Sequence, residues 1–274
     1  MSILRFSKRA LLAAGTAAAL AFAQTGLNAA ETAAELAAKV ANKGRPEIQG
    51  GMHAVKKVPG KCDTTPPPAG AIVLFDGTAA SVAANWRPEN AKNPAWPVNT
   101  AGALVAANKT DLLTQRAFGS LKLHLEWRVP ADRKGISGQR GANSGVIFMP
   151  RGWYEVQILE SHGNPGNTYS DGMAGAIYQR STPAANPALP QGEWQSYDIT
   201  FLAPKFGEKG EVLRKPRFTV VFNGVVVQDN VELDGNTLRR NSKLSKHPVP
   251  QPFKLQYHND PIEFRNIWAV EIAE

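Results

Sequence analysis

From residue 71 to the C-terminus, short runs of alternating apolar and polar residues follow one another, broken by Gly, Pro, Asn or Asp. A period of two puts neighbouring side chains on opposite faces of an extended strand. It predicts strands over residues 71–75, 103–106, 120–129, 144–149, 154–159, 174–178, 195–202, 217–222, 225–231, 253–258 and 262–272. Asn223-Gly224, set between two β-branched runs, predicts a two-residue hairpin turn. No long helical period competes with these strands. The expected architecture is all-β, a two-sheet antiparallel β-sandwich.

The final runs carry the least ordinary polarity. Leu255 and Tyr257 share one face, and Gln256 and His258 the other. Past the Asn-Asp-Pro turn, Phe264 and Trp268 lie opposite Glu263 and Arg265. Parity also sets His124, Glu126 and Arg128 against Leu123, Leu125 and Trp127, and Glu155 and Gln157 against Tyr154, Val156 and Ile158. The wet face of a half-exposed sheet accounts for any one such pair. Acids, bases and amides mixed on four strands fit a polar cleft better, and predict that Glu126, Glu155, Gln157, His258 and Arg265 share one groove. Asn143 and Ser144 fit either a cleft edge or a plain turn, and Tyr178 either a sugar contact or the core. Glu160 and His162 begin a Gly- and Asn-rich loop running to Gly175, long enough for a lid or binding loop. Trp86 and Trp96 read as packing or platform aromatics, and Trp268 as core. Glu155, Glu160, His162 and His258 lack any compact metal spacing. The expectation is therefore no cofactor and no metal, with a calcium ion near Asp171 as the alternative.

The N-terminus has a different character. Arg5, Lys8 and Arg9 precede an apolar run from Ala10 to Ala21 and then small residues, the pattern of a cleaved signal peptide over 1–30. The run is shorter than the roughly 20 residues of a membrane-spanning helix, so the expected location is periplasmic or secreted, with no membrane span. Residues 31–69 read as a short helix over 31–44 and a Pro-rich linker, and 70–274 as the folded domain. The single cysteine, Cys62, offers no internal disulfide. Losing Arg5, Lys8 and Arg9 lowers the formal charge of +8 by three, to +5. The remaining basic residues are dispersed, which argues against a nucleic-acid partner.

Several of these runs, in order, resemble a bacterial family of 3-keto-disaccharide hydrolases. The matching blocks are Leu74-Phe75-Asp76-Gly77 with Trp86, then Leu113-Thr114, then Leu123 to Arg128. They continue with Asn143-Ser144-Gly145, Tyr154 to Glu160, Gly175 to Tyr178, Glu193-Trp194, and Leu255 to Trp268. Together they span about residues 70–273. Tyr257 departs from the pattern, as family members often carry Asp there, and so does a Pro- and Lys-rich loop at 203–217. The resemblance implies a concanavalin-like jelly roll that acts on an oligosaccharide or glycoside oxidised at C3 by a sugar 3-oxidoreductase. A C3 ketone acidifies the C2 hydrogen, so a base can form an enolate and the C1 oxygen leaves by β-elimination. His258 is the expected general base because imidazole titrates near working pH, with Glu155 the alternate base or the acid. Arg265 is expected to hold the enolate oxygen, while Glu126, Arg128, Asn143, Gln157, Glu160, His162, Tyr178 and Gln256 bind the sugar. Two alternatives stand beside this reading: a two-carboxylate glycosidase using Glu126 and Glu155, and a non-catalytic lectin-like glycan-binding module.

Overall fold

The computed structural model describes residues 51–273, so the expected signal peptide and the 31–44 helix lie outside the described residues. In chain order the strands are β1 Ile72–Phe75, β2 Trp86–Pro88, β3 Leu104–Val105, β4 Leu112–Thr114, β5 Leu121–Arg128, β6 Ser144–Phe148 and β7 Tyr154–Ile158. They continue as β8 Gln195–Leu202, β9 Lys205–Phe206, β10 Val212–Arg214, β11 Arg217–Phe222, β12 Val225–Glu232, β13 Lys254–Leu255 and β14 Glu263–Glu271. A seven-stranded sheet runs β1-β14-β5-β8-β11-β12, with β3 also paired to β14, and a five-stranded sheet runs β2-β4-β13-β6-β7. Every strand pairing in both is antiparallel, and the molecule is a β-sandwich of the jelly-roll type.

Side chains of alternate parity fill the space between the sheets. Leu121, Leu123, Leu125 and Trp127 of β5 meet Val146 and Phe148 of β6 and Tyr154, Val156 and Ile158 of β7 in one core. Phe148 joins the layers, with ring centroids 4.8 Å from Phe201 of β8 and 5.4 Å from Phe218 of β11. Trp86 and Trp96 are packing residues: both are buried, and their indole N–H groups donate to the Leu74 and Thr110 carbonyls. The hairpin expected at Asn223-Gly224 joins β11 to β12, with φ of 48° and 77° that suit Asn and Gly.

Four short strands and one helix escape sequence periodicity. β2, β4, β9 and β10 are only two or three residues long, too short for a period of two to register. The loop expected at 203–217 is thus partly a β9–β10 hairpin. The helix α1, Ala79–Asn85, is a single short stretch capped by Thr78, whose hydroxyl accepts the Ser81 N–H at 3.1 Å. The strand expected over 174–178 is reduced to bridges from Ile177 to Val156 and Ser181.

Trp268 corrects the parity reading. Arg265 pairs with Glu126 but Trp268 pairs with His124, so three residues of β14 span two of β5. Asn266, with φ of 45°, takes up the extra residue as a bulge. Ile267 turns into the core, and Trp268 turns outward to stack on His124 at 5.0 Å and 13°.

The Pro-rich segment before β1 is fastened across the outside of the seven-stranded sheet. The Lys61 N–H donates to Asn223 O and the Asp63 N–H to Ser196 Oγ, while Thr65 O accepts from the Asn266 amide and the Trp268 indole.

Candidate active site

The two sheets press their apolar faces together, so their polar faces point to opposite sides of the molecule. Glu126, Arg128 and Arg265 lie outside the seven-stranded sheet, and Glu155 and Gln157 outside the five-stranded one. The single groove expected for Glu126, Glu155, Gln157, His258 and Arg265 does not exist. Parity sorts faces within a strand, but says nothing about which sheet the strand joins. The same geometry excludes Glu126 and Glu155 as a flanking carboxylate pair, which needs separations of about 5–9.5 Å across one bond.

On the seven-stranded side the charges around Glu126 are paired. Glu126 Oε2 accepts from Nε and Nη2 of Arg265, both at 2.6 Å, and its Oε1 accepts from Asn266 at 2.8 Å. Burial would raise the Glu126 carboxyl, but His124, Asn266 and Arg265 outweigh it and hold it below the usual value. Burial would lower the His124 imidazole, but Asp198, 2.7 Å from Nδ1, and Glu126 push it up to about 9. Arg128 binds Glu263, and both Arg128 and Arg265 lie against Trp194, at 4.5 and 4.2 Å. The Cys62 thiol of the overlying segment approaches Glu126 to 3.9 Å. Glu126 with Arg265, and Arg128 with Glu263, are thus paired on this face. A cavity of about 430 Å³ opens beside it, among Pro68, Lys122, Asp198 and Trp268. Its carboxylate, Asp198, is already bonded to His124.

The five-stranded side is built differently. One row across the sheet reads Leu113, Lys254, Ile147 and Glu155. In the next, the Gln256 N–H donates to Gly145 O, and Gly145 pairs with Gln157. A Cβ on Gly145 would meet Glu155 Oε1 at 2.5 Å, so a side chain there would displace the carboxyl. The Glu155 carboxyl therefore lies over the backbone of the Asn-Ser-Gly strand. Burial pushes it up to about 7, against the opposing pull of the Trp153 side chain and the Lys254 charge, with Asp111 adding to the rise. A carboxyl poised near neutrality is suited to both giving and taking a proton.

Around Glu155 the remaining groups are fixed. Gln157 Nε2 donates to Asn143 Oδ1 at 3.0 Å, and the Asn143 N–H donates to Asp260. Lys254, 2% exposed, is bound by Asp111 at 2.7 Å and Glu89 at 3.1 Å, and sits 4.2 Å from the Trp153 ring centre. Tyr178 donates its N–H to Glu155 O, and its hydroxyl lies 2.7 Å from that of Tyr169. His258 follows Gln256 as an exposed residue, three positions past β13.

Two more of the expected sugar ligands begin the 160–175 loop. Glu160 Oε1 accepts the His162 and Gly163 N–H groups at 2.8 Å each, so this carboxylate caps its own turn. The half-buried His162 gives its carbonyl to Lys57. Asp171, suited in sequence to a calcium ion, is held by Arg240 through both carboxylate oxygens, at 2.7 and 3.1 Å. No group of three metal-ligating side chains occurs among the described residues. Sequence reasoning missed Lys254, Asp111 and Trp153. Lys254 has the parity of Gln256 and was findable on that ground, whereas Trp153 precedes its strand and carries no periodic signal.

Known proteins share this architecture. A "putative glycosyl hydrolase" from Parabacteroides distasonis ATCC 8503 is 38% identical, with a TM-score of 0.67, over 75% of this chain and 85% of that one. A second from the same organism is 18% identical over 74% and 94%, with a TM-score of 0.53, and shares the fold. No curated protein matches the chain. The profile of the 3-keto-alpha-glucoside-1,2-lyase-like domain matches residues 70–270. The chain belongs to that family, a glycosidase or lyase class of carbohydrate-active domain.

Proposed function

We propose that this domain cleaves the glycosidic bond of 3-keto-glycosides, with Glu155 as the group that moves the proton. The observation that carries the reading is a buried carboxyl, pushed up to about 7, in the row of the five-stranded sheet that lies outside the core. Glu155 as carboxylate takes the C2 proton, and the C–H electrons form the enolate with C3. As the C3 carbonyl re-forms, the electrons make a C1–C2 double bond and the C1–O bond breaks. The departing oxygen takes a proton from Glu155, now the acid, or from exposed His258. Addition of water across C1 and C2 then gives net hydrolysis. Gln256 and the Gln157–Asn143 pair orient the ring.

The substrate would be supplied by a sugar 3-oxidoreductase, and the N-terminal sequence fits export with a mature start between residues 24 and 31. The test is incubation with 3-keto-trehalose and 3-keto-lactose beside the unoxidised sugars. Release of monosaccharide from the ketones, with exchange of the C2 hydrogen for solvent deuterium, is the expected result. Cleavage of the unoxidised sugars alone would overturn the reading.

A further inference from the structure

The turn joining β6 to β7 is strained at two residues that are not glycine: Met149 has φ of 49° and Trp153 has φ of 61°. Such backbone costs on the order of 1–3 kcal/mol at each residue and persists only where its surroundings impose it. Here the surroundings do. Both Gly152 and Trp153 donate their N–H groups to Met149 O at 2.6 Å. Thr237, 0% exposed, reaches in from the loop before β13. Its N–H and hydroxyl both donate to Trp153 O, at 2.8 and 3.0 Å, and its hydroxyl oxygen accepts the Glu155 N–H at 3.1 Å. One buried threonine thus fixes Trp153 and Glu155 together.

This latch presents a particular side chain. The Lys254 ammonium lies 4.2 Å from the indole centre, and Lys254 is itself closed to solvent. Trp153 is only half-buried, so part of it stays open to solvent. An indole backed by a cation and edged by a carboxyl offers an apolar plane beside hydrogen-bonding groups, the combination that packs against the C–H face of a pyranose. Resting on the function proposed above, we infer that Trp153 is the specificity-determining residue of the site, the plane against which the sugar ring is held over Glu155. The Trp153 side chain also acts on the Glu155 carboxyl, lowering it against the upward push of burial. The charged groups acting on Glu155 are Lys254, which lowers it, and Asp111, which raises it, with Glu89 bound to Lys254.

Trp153→Phe and Trp153→Ala separate the two roles. Phenylalanine keeps a plane and loses the indole N–H, whereas alanine loses both. Binding is read first, by ligand-observed NMR with 3-keto-trehalose on Glu155→Gln proteins, so that no turnover is needed, with trehalose as a second ligand. The expected result is near-normal affinity for the Trp153→Phe protein and about tenfold weaker binding for the Trp153→Ala protein. In proteins that retain Glu155, the pH limb of kcat near 7 should move upward in both variants, because either role of that carboxyl follows its own titration. Thr237→Val, which keeps the shape but removes the hydroxyl donor, should weaken binding in the same sense. Equal affinity for both sugars with and without Trp153→Ala in the Glu155→Gln protein, or a pH limb unmoved in Trp153→Phe, would overturn the inference. If both sugars bind through Trp153 but the ketone is never cleaved, the proposed function fails and the sugar platform stands.

Discussion

Glu126 and Glu155 are the same residue type, on strands of the same sandwich, 1% and 4% exposed, and yet they are displaced in opposite directions. Glu126 has two contacts from Arg265, one from Asn266 and a histidine alongside. Glu155 has burial, a nearby indole and a lysine already claimed by Asp111 and Glu89. Burial alone therefore does not mark a working carboxyl. What sets the direction of the displacement is how completely the surrounding donors neutralise the charge.

The sharpest way to break this comparison is to remove each carboxylate charge in turn. Glu155→Gln should lower turnover of a 3-keto-glycoside by about 10²–10⁴ with binding retained, and Glu126→Gln should leave kcat within a few-fold on folded protein. Steady-state kinetics at a temperature where both variants are folded decides it, and the reverse pattern would exchange the roles of the two faces. Next in size is Arg265→Ala. It strands the buried Glu126 charge and should cost roughly 3 kcal/mol of stability in denaturant melts, with kcat little changed.

The pH dependence of stability sharpens the contrast. His124 is raised to about 9 in the fold, so its stabilisation is fully present below its unfolded value of 6.5 and is lost as pH climbs through 9. Glu155 is an acid with a raised value, so its cost to the fold builds up between 4.5 and about 7 and persists above. Glu155→Gln should accordingly gain on the order of 3 kcal/mol at pH 8 and nothing at pH 4. Paired thermal melts at the two pH values check the sign. The smallest effect is expected for exposed His258, where alanine should slow turnover by roughly tenfold or less if Glu155 can protonate the leaving oxygen itself. A dead His258→Ala enzyme would make the histidine indispensable.

Much of the architecture was legible because periodicity is local. The long strands β5, β8, β11 and β12 and the Asn223-Gly224 turn follow from residues a few positions apart. What parity conveyed about Glu155 and Gln157 was their shared face, and that holds in the structure. Which side of the molecule the face belonged to depends on pairings between strands distant in sequence, such as β13 with β4 and β6. A one-residue bulge at Asn266 was enough to carry Trp268 from the core to the outer face. The Glu155–Trp153–Lys254 arrangement depends in addition on a strained turn and a threonine more than eighty residues away. Neither leaves a periodic trace.

The segment fastened outside the seven-stranded sheet has a practical corollary for engineering. The described chain does not enter the sandwich at β1; it begins with the Met52 N–H bonded to Thr168 O at 2.7 Å, and passes Asn186 and Asn223 before reaching Thr65. A catalytic partner fused ahead of Gly51 would be delivered beside the 160–175 loop, next to β7. Fused instead at residue 70, with the preceding segment deleted, the same partner would emerge on the opposite side and leave the His124 network bare. The attachment point would then decide on which side of the sandwich the partner's product is released.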